Sequence, residues 1–414
     1  MIKNKWVLVL NISAVIFYFI IISKLGGREF IKNSLFNTVD SNDYLLYSKW
    51  ITGEGDYCSP YRTFFYPLIM MMSMKTAGLV GLWAMQFFFW LAACNLIFFT
   101  IFNITKNIIP SVIAYTLVVL NISLIVYTAN GLTEITVFFL LSLFLFILLK
   151  VLRKPNNINM IFALLFVLSL LVVTKPVYQI VWYITVLMIL FFIRKDILKK
   201  PVIILLIILA CSPILIQKII IKKTYNTFST TKIADYNLRN YFFRKVKYYD
   251  ENHTLKNFDL LPDSVHTRTT AEAQHYTKSG IINFIIYHPF SSMSAFWDNI
   301  KDNHRMGNPL INKRNNPKLY KWTQNINDKF FYIHLLALIV WSTFLIIKIK
   351  QRNNLHYQFV FFCGLLSFYT LYYVGITFWA GDRLIAPAIA AWSVLYIILF
   401  LNVFKLIKPG KNIL

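Results

Sequence analysis

The sequence predicts an all-α polytopic membrane protein with about ten transmembrane helices, and three observations lead to this prediction. Hydrophobic residues make up 57% of the 414 residues, and the mean hydropathy is +0.58, well above that of a soluble domain. Apolar runs of roughly 20 residues, the length that crosses a ~30 Å hydrocarbon core, recur from one end of the chain to the other. The basic residues lie mostly between those runs.

The apolar runs follow one another in a clear order. We predict spans at residues 6–23, 79–102, 108–128, 132–149, 158–174, 177–193, 202–221, 330–347, 357–378 and 384–404. The fifth and sixth runs meet at Lys175-Pro176, where proline interrupts helical hydrogen bonding. This junction is either a tight turn between two spans or a kink in one long helix. The first run resembles a signal peptide, but no small-residue cleavage site follows it, so we expect a retained anchor.

Basic residues are concentrated in alternate short segments. With the N-terminus inside, the inner segments hold sixteen basic residues and one acid, Asp196, which is the positive-inside pattern. Merging the fifth and sixth spans would destroy this asymmetry, so charge favours the turn. We therefore expect both termini to be cytoplasmic. Richness in Ile, Asn, Lys and Phe indicates an AT-rich bacterial gene and the bacterial inner membrane, although composition alone does not exclude the endoplasmic reticulum.

Three regions follow from the order of the spans. Residues 1–221 form a transmembrane module of seven helices with a first outer loop at 24–66, residues 222–329 form a large extracytoplasmic loop, and residues 330–414 hold the last three spans. The large loop carries 17 basic and 9 acidic residues, which suggests an anionic partner. Within it, residues 280–297 resemble a segment that lies in the membrane interface, and a buried helix of a soluble domain explains them equally well.

Other classes of protein and site are poorly supported. A net charge of +25 does not indicate nucleic-acid binding, because the basic residues do not form a stripe on a soluble fold. Three of the four cysteines lie in apolar runs, so no disulfide framework can be assembled. The seven histidines lack the spacing of a zinc site. We predict no cofactor, and a divalent metal at the outer carboxylates stays unassigned.

The first outer loop carries the densest chemistry. Asp40, Asp43, Tyr44 and Tyr47 share one face of a predicted amphipathic helix over residues 39–50, since residues three and four apart are neighbours. A glycine-rich turn with Glu54 and Asp56 follows, and Tyr66-Pro67 leads back into the bilayer. These acids are either functional groups at the membrane surface or ordinary solvated residues.

Further charged residues lie at the outer ends of predicted spans. Glu134 begins the fourth span, Lys175 separates the fifth from the sixth, and Asp382-Arg383 separates the ninth from the tenth. An ionisable residue at membrane depth is a functional candidate because its burial in hydrocarbon is costly. Structural explanations stay open: Glu134 suits a helix N-terminus, Lys175 and Arg383 suit headgroup anchoring, and Asp382 suits pairing with Arg383.

In these positions the chain resembles the GT-C glycosyltransferases, and in particular the protein O-mannosyltransferase group of family 39, the lipid A aminoarabinose transferase and the bacteriophage-type O-antigen glucosyltransferases. The matching positions are Asp40 with Tyr44, then Gly55, Tyr57 and Pro60, Tyr66-Pro67, Leu132-Thr133-Glu134, Lys175-Pro176, and Arg383 with Ala386-Pro387. The resemblance covers spans one to seven and, more weakly, span ten. The large outer loop matches no pattern of these families.

The resemblance implies transfer of a sugar from a polyprenyl-phosphate donor to a glycan or lipid acceptor of the cell envelope, such as lipopolysaccharide with its O-antigen. Transfer would occur at the outer face, with inversion at the anomeric carbon. Asp40 would be the general base. Many relatives carry a second acid directly after this position, whereas Ser41 stands here, so Asp43 is the alternative base.

The resemblance also implies that Lys175 and Arg383 bind the donor phosphate, Arg383 through its bidentate fork. The expected pocket or supporting residues are Tyr44, Glu54, Asp56, Tyr66, Glu134 and Asp382. A polysaccharide polymerase or a lipid-linked oligosaccharide flippase is the alternative. A flippase should carry charges within its spans and a repeat between its halves, and the sequence shows neither.

Overall fold

The computed structural model describes residues 2–192, 201–252, 258, 261–351, 354–377 and 381–403, and this part of the chain is helical and contains no strand. The helices are α1 (Ile2–Leu25), α2 (Gly27–Ser34), α3 (Val39–Thr52), α4 (Phe65–Thr105), α5 (Ile108–Val119), α6 (Ile122–Tyr127), α7 (Glu134–Arg153), α8 (Ile158–Val172), α9 (Gln179–Phe192), α10 (Pro201–Tyr225), α11 (Ile233–Asn237), α12 (Arg244–Glu251), α13 (Asp263–Gln274), α14 (Lys278–Tyr287), α15 (Pro289–Arg305), α16 (Pro317–Ile347), α17 (Leu355–Val374) and α18 (Ile389–Val403). Short 3-10 turns lie at Pro176–Tyr178, Ile349–Gln351, Gly381–Arg383 and Ala386–Ala388, and Leu238–Phe243 is a π-helical turn.

A helix lies at each predicted span. Within the described residues, seven helical segments are long and apolar enough to cross a membrane, and they fall on the first, second, fourth, seventh, eighth, ninth and tenth predicted spans. Three shorter apolar helices, Ile108–Val119, Ile158–Val172 and Pro176–Met188, fall on the third, fifth and sixth. The chain is therefore an all-α multi-pass membrane protein, as predicted. The number of ten crossings stays a prediction.

The second predicted span begins at a sharp break inside α4. Ala77 and Gly78 leave the helical conformation, and Gly78 has φ +60° and ψ −142°, which residues with a Cβ avoid. A Cβ on Gly81 would stand 2.2 Å from the Ser73 carbonyl oxygen, so the chain before the break approaches the chain after it closely. The short first arm of α4, which carries Tyr66, thus precedes the predicted span at 79–102.

The junction at Lys175-Pro176 is a turn. The indole Nε1 of Trp182 in α9 donates a hydrogen bond to the Ser169 hydroxyl in α8 at 3.0 Å. Thirteen residues of continuous helix would separate these positions by about 20 Å, since each residue adds 1.5 Å. The chain must therefore reverse direction here, so the prediction of a turn is confirmed and the alternative of one kinked helix is wrong.

One compact unit comprises residues 1–230, 333–368 and 386–414. At its centre α7 packs against α4, α8 and α18, and side chains such as Phe138, Leu141 and Phe144 are buried. Polar bonds join its helices, including one of 2.7 Å between the Tyr18 and Thr128 hydroxyls. Large apolar side chains point outward on α1, α4, α9, α10 and α16, as expected of helices surrounded by lipid.

A second compact unit comprises residues 231–332 and 369–385 and includes most of the predicted large outer loop. Small apolar cores form around Phe242, Tyr249 and Ala295, and around Phe243 and Ile281. Buried hydrogen bonds connect α12 with α13 in this unit. Arg244 donates to the Thr269 hydroxyl at 3.0 Å and to the His266 carbonyl at 2.6 Å. The extracytoplasmic location of this region and the boundaries at 222 and 329 stay predictions.

Candidate functional site

The helix that carries the predicted base begins with a complete cap. The Thr38 hydroxyl accepts from the Ser41 backbone N–H at 3.1 Å, and the Ser41 hydroxyl accepts from the Thr38 backbone N–H at 3.2 Å. This reciprocal pair satisfies two donors that the first turn would otherwise leave open. Ser41, the position at which the chain departs from the resembling families, therefore has a structural role at the start of α3, which runs from Val39 to Thr52.

The predicted face of α3 is present. Tyr44 and Tyr47 are buried, whereas Asp40 and Asp43 are half-buried on the adjoining part of the same face. Gly53 ends the helix with φ +76°, a left-handed conformation that suits glycine. The sequence prediction of a helix followed by a glycine turn is confirmed, and whether this helix lies on the membrane surface stays a prediction.

Arg62 bridges the two acids. Its Nε donates to Asp43 Oδ2 at 2.7 Å, and its terminal nitrogen donates to Asp40 Oδ1. The Ser59 hydroxyl gives Asp43 Oδ2 a second hydrogen bond at 3.0 Å. The Asp43 side chain is 15% exposed and that of Asp40 is 26% exposed. Asp40 is therefore the more exposed of the two carboxylates.

The ion pairs shape the electrostatics of Arg62. Burial acts to lower the pKa of its guanidinium, but Tyr44, Asp40 and Asp43 outweigh this effect, and the pKa lies above its ordinary value. Arg62 thus stays charged, and it offers the two carboxylates a fixed planar fork.

Two tyrosines extend the site toward α7. The Arg62 guanidinium lies over the Tyr44 ring at 5.1 Å, and the Tyr44 ring meets the Tyr66 ring edge to face at 5.1 Å. Burial raises the pKa of Tyr44, which therefore stays a neutral phenol able to donate a hydrogen bond. The Tyr66 hydroxyl is fully buried and has no hydrogen-bond partner among the residues that the structure describes. Such a donor is costly unless something binds to it.

Glu134 and Lys175 form an ion pair beside these tyrosines. Glu134 is the first residue of α7, as predicted, and its side chain is 1% exposed. Lys175 Nζ lies 3.6 Å from Glu134 Oε1, and the Lys175 side chain is 16% exposed. Glu134 also interacts electrostatically with the Tyr44 and Tyr66 hydroxyls. Lys175 thus lies within the protein, against a carboxylate.

These side chains make one continuous group. We call it the Asp–Arg cluster, which consists of Asp40, Asp43, Tyr44, Arg62, Tyr66, Glu134 and Lys175. Its three carboxylates exceed its two cations by one charge. A carboxylate in such a half-buried group can accept a proton from a hydroxyl, which is the task of a general base.

The remaining predicted site residues are Glu54, Asp56, Asp382 and Arg383. Glu54 and Asp56 are exposed in the turn after α3, and no ion pair between described residues includes them. Asp382 and Arg383 lie on the 3-10 turn Gly381–Arg383 of the second unit, where Asp382 is fully buried and Arg383 is half-buried. Their predicted roles stay predictions.

Sequence reasoning missed Arg62 and Ser59. One signal was available for Arg62, which is the one basic residue between Lys49 and Lys75. Its guanidinium lies between Asp40 and Asp43, the two carboxylates that could have held a divalent cation. Among the described residues no group of three or more His, Cys, Asp or Glu side chains could hold a metal ion.

Comparisons with known proteins give the chain no family. Protein-family models, curated proteins and solved structures were each searched with it, and none matches.

Proposed function

We propose that this protein is a membrane glycosyltransferase that moves a sugar from a polyprenyl-phosphate donor to a cell-envelope glycan or lipid. The observation that carries the proposal is the Asp–Arg cluster, in which two carboxylates of α3 share one guanidinium. This arrangement lies in the loop between the first two predicted spans, where the resemblance to GT-C enzymes is densest. A lipid-linked donor suits a protein whose helices lie in the bilayer.

Asp40 acts as the general base in this mechanism. The acceptor hydroxyl oxygen bonds to the anomeric carbon while the bond from that carbon to the phosphate oxygen breaks. The hydroxyl proton passes to the Asp40 carboxylate, and the bonding electron pair leaves with the polyprenyl phosphate. Because attack occurs opposite the leaving group, the anomeric configuration inverts. The greater exposure of Asp40 supports its choice over Asp43.

Arg62 and Asp43 position the base. The Arg62 guanidinium donates to both carboxylates, so it orients Asp40 beside Asp43. Tyr44 and Tyr66 pack beside the carboxylates, and the Tyr66 hydroxyl is a hydrogen-bond donor that a bound substrate could use.

Lys175 supplies a cation for the leaving phosphate. Its pairing with Glu134 holds the ammonium group in place just after α8. The leaving phosphate gains negative charge as the bond breaks and can compete with Glu134 for this ammonium group. The role of Arg383 as a second phosphate ligand rests on the sequence resemblance alone. We place the site on the extracytoplasmic face of the bacterial inner membrane on the same ground.

The test is an assay of sugar transfer. Wild type, Asp40→Asn and Asp43→Asn are expressed to equal levels in bacterial membranes that contain radiolabelled polyprenyl-phosphate hexoses, and label in cell-envelope glycan is measured. We expect Asp40→Asn to lower the rate by about 10²-fold or more, the usual contribution of a general base, and Asp43→Asn to lower it less.

Glu29→Gln is the matched control, since Glu29 is an exposed acid of α2 in the same loop. It should leave transfer unchanged. Full activity in both aspartate variants would overturn the assignment of the base. Absence of transfer by the wild type from every hexose donor would contradict the proposed class.

A further inference from the structure

Large apolar side chains are exposed on one side of α14 and α15, the two helices that meet at His288. Tyr287 is 78% exposed, Phe290 is 83% exposed and Met293 is 72% exposed. The spacing of 290, 293 and 297 places these positions on one face of α15. We call the exposed group the apolar patch, and it consists of Ile282, Ile286, Tyr287, Phe290, Met293 and Trp297.

The opposite faces of the same helices are also apolar. Ile281 of α14 and Ala295 of α15 are buried in the two small cores of the second unit, and Phe284 packs against both cores. One side of residues 280–297 is thus covered by the cores of the second unit and the other side is exposed. A helix with apolar residues on both sides needs an apolar environment on its open side.

Hydrogen bonds join the helices of the patch to the rest of the unit. His288 Nδ1 forms a hydrogen bond of 2.7 Å with Asp250 Oδ1, and the Ser291 hydroxyl donates to the same oxygen at 3.3 Å. The Phe284 ring stacks on the His288 ring at 4.1 Å. These contacts tie both helices to α12.

Charge and length indicate what covers this surface. Residues 279–297 contain no Asp, Glu, Lys or Arg, whereas Lys278 precedes them and Lys301 lies over the Trp297 ring at 5.6 Å. Tryptophan beside a basic residue is typical of the boundary between lipid tails and headgroups. α14 has 10 residues, about 15 Å of helix, which is too short to cross a bilayer.

The neighbouring helix α13 differs from α14 and α15. α13, every residue of which the structure describes, exposes no large apolar side chain. The segment 222–329 has 17 basic and 9 acidic residues, an excess that suits anionic headgroups.

We propose that the apolar patch inserts into the interfacial layer of the lipid bilayer and anchors the second unit to the membrane surface. Its aromatic and aliphatic side chains enter the boundary between headgroups and acyl chains, and Lys301 contacts the headgroups. Lys278, at the start of α14, is paired with Asp235 at 2.5 Å. The anchor does not depend on the proposed enzymatic activity.

Photocrosslinking in lipid tests this proposal. The full-length protein is made with p-benzoylphenylalanine at position 290 or, in a second variant, at position 293, and placed in nanodiscs of phosphatidylethanolamine and phosphatidylglycerol. After irradiation, mass spectrometry measures lipid adducts. The same residue at position 88, exposed on a candidate span, is the positive control, and position 267 on the polar face of α13 is the negative control.

We expect lipid adducts at 290 and 293 with a yield within about twofold of that at 88 and roughly tenfold above that at 267, since interfacial side chains have lipid neighbours and solvated ones do not. Background yield at both 290 and 293, with adducts at 88, would overturn the proposal. A crosslink between two copies of the chain in place of lipid adducts would overturn it as well and would assign the patch to self-association.

Discussion

The ion pairs of Arg62 should stabilise the fold as well as orient the base. Replacing Arg62 with Met removes the positive charge that pairs with both Asp40 and Asp43. Exposed ion pairs contribute about 0–1 kcal/mol, whereas breaking a buried pair costs about 3–5 kcal/mol. The side chains involved are 15–26% exposed, so we expect Arg62→Met to lower the free energy of unfolding by about 2–3 kcal/mol.

A double-mutant cycle isolates the contact with Asp43. Asp43→Asn keeps the shape of the side chain and removes its charge, so the coupling between Arg62→Met and Asp43→Asn reports the 2.7 Å ion pair. We expect about 1.5–2 kcal/mol of coupling, as for a charged hydrogen bond with little solvent screening. Denaturant unfolding of the purified protein in micelles provides the four free energies.

The exposed pair Arg268–Glu272 is the matched control for this cycle. Its atoms are 3.6 Å apart and its side chains are 65% and 39% exposed, so its coupling should stay below about 0.5 kcal/mol. A coupling between positions 62 and 43 no larger than that between 268 and 272 would refute the view that Arg62 organises the site.

Three further predictions concern single residues. Tyr66→Phe removes a buried hydroxyl without a partner among the described residues, so thermal stability should hold or rise by about 1 kcal/mol while sugar transfer falls; a loss of stability would contradict this. Gly131→Ala places a Cβ 2.7 Å from the Leu35 carbonyl oxygen and should lower the free energy of unfolding by roughly 1–3 kcal/mol, measured with denaturant. Gly55→Ala is the control, because the nearest atom to its Cβ is 3.4 Å away, and it should lower the same free energy by less than about 0.5 kcal/mol. Burial lowers the pKa of His304 to about 4 from 6.5. Above pH 6.5 this residue therefore does not make the free energy of unfolding depend on pH. As the pH drops from 6.5 to 4, the unfolded chain binds a proton that the folded chain does not, and the free energy of unfolding falls by about 1.4 kcal/mol per pH unit. His304→Asn should remove that slope in thermal unfolding between pH 7 and pH 5, and an unchanged slope would count against it.

Features with a local cause could be predicted from the sequence. Proline at Lys175-Pro176 marked the break between α8 and α9, and the basic residues of the short inner segments favoured a turn over a kink there. The charge at Glu134 marked the start of α7. The glycine after Thr52 marked the end of α3, because only a left-handed residue closes that helix in this way.

Features that depend on contacts in the folded chain could not be predicted from the sequence. Arg62 lies in an irregular segment 22 residues after Asp40, where helical periodicity gives no rule for pairing. α16 begins at Pro317, 13 residues before the predicted span at 330, because hydropathy detects the apolar part of a helix and not its polar extension. The pairing of Lys175 with Glu134 likewise needed the packing of α7 against α8.

The mass of the cell-envelope glycan tests the central claim most directly. Mass spectrometry compares glycans from bacteria that express the wild type, Asp40→Asn or Glu29→Gln, with membrane levels of the three proteins matched. The proposed function predicts a gain of one sugar residue with the wild type and with Glu29→Gln, and none with Asp40→Asn. An equal gain with Asp40→Asn would contradict the role of Asp40 as the base, and no gain with any of the three would contradict glycosyl transfer to these envelope glycans.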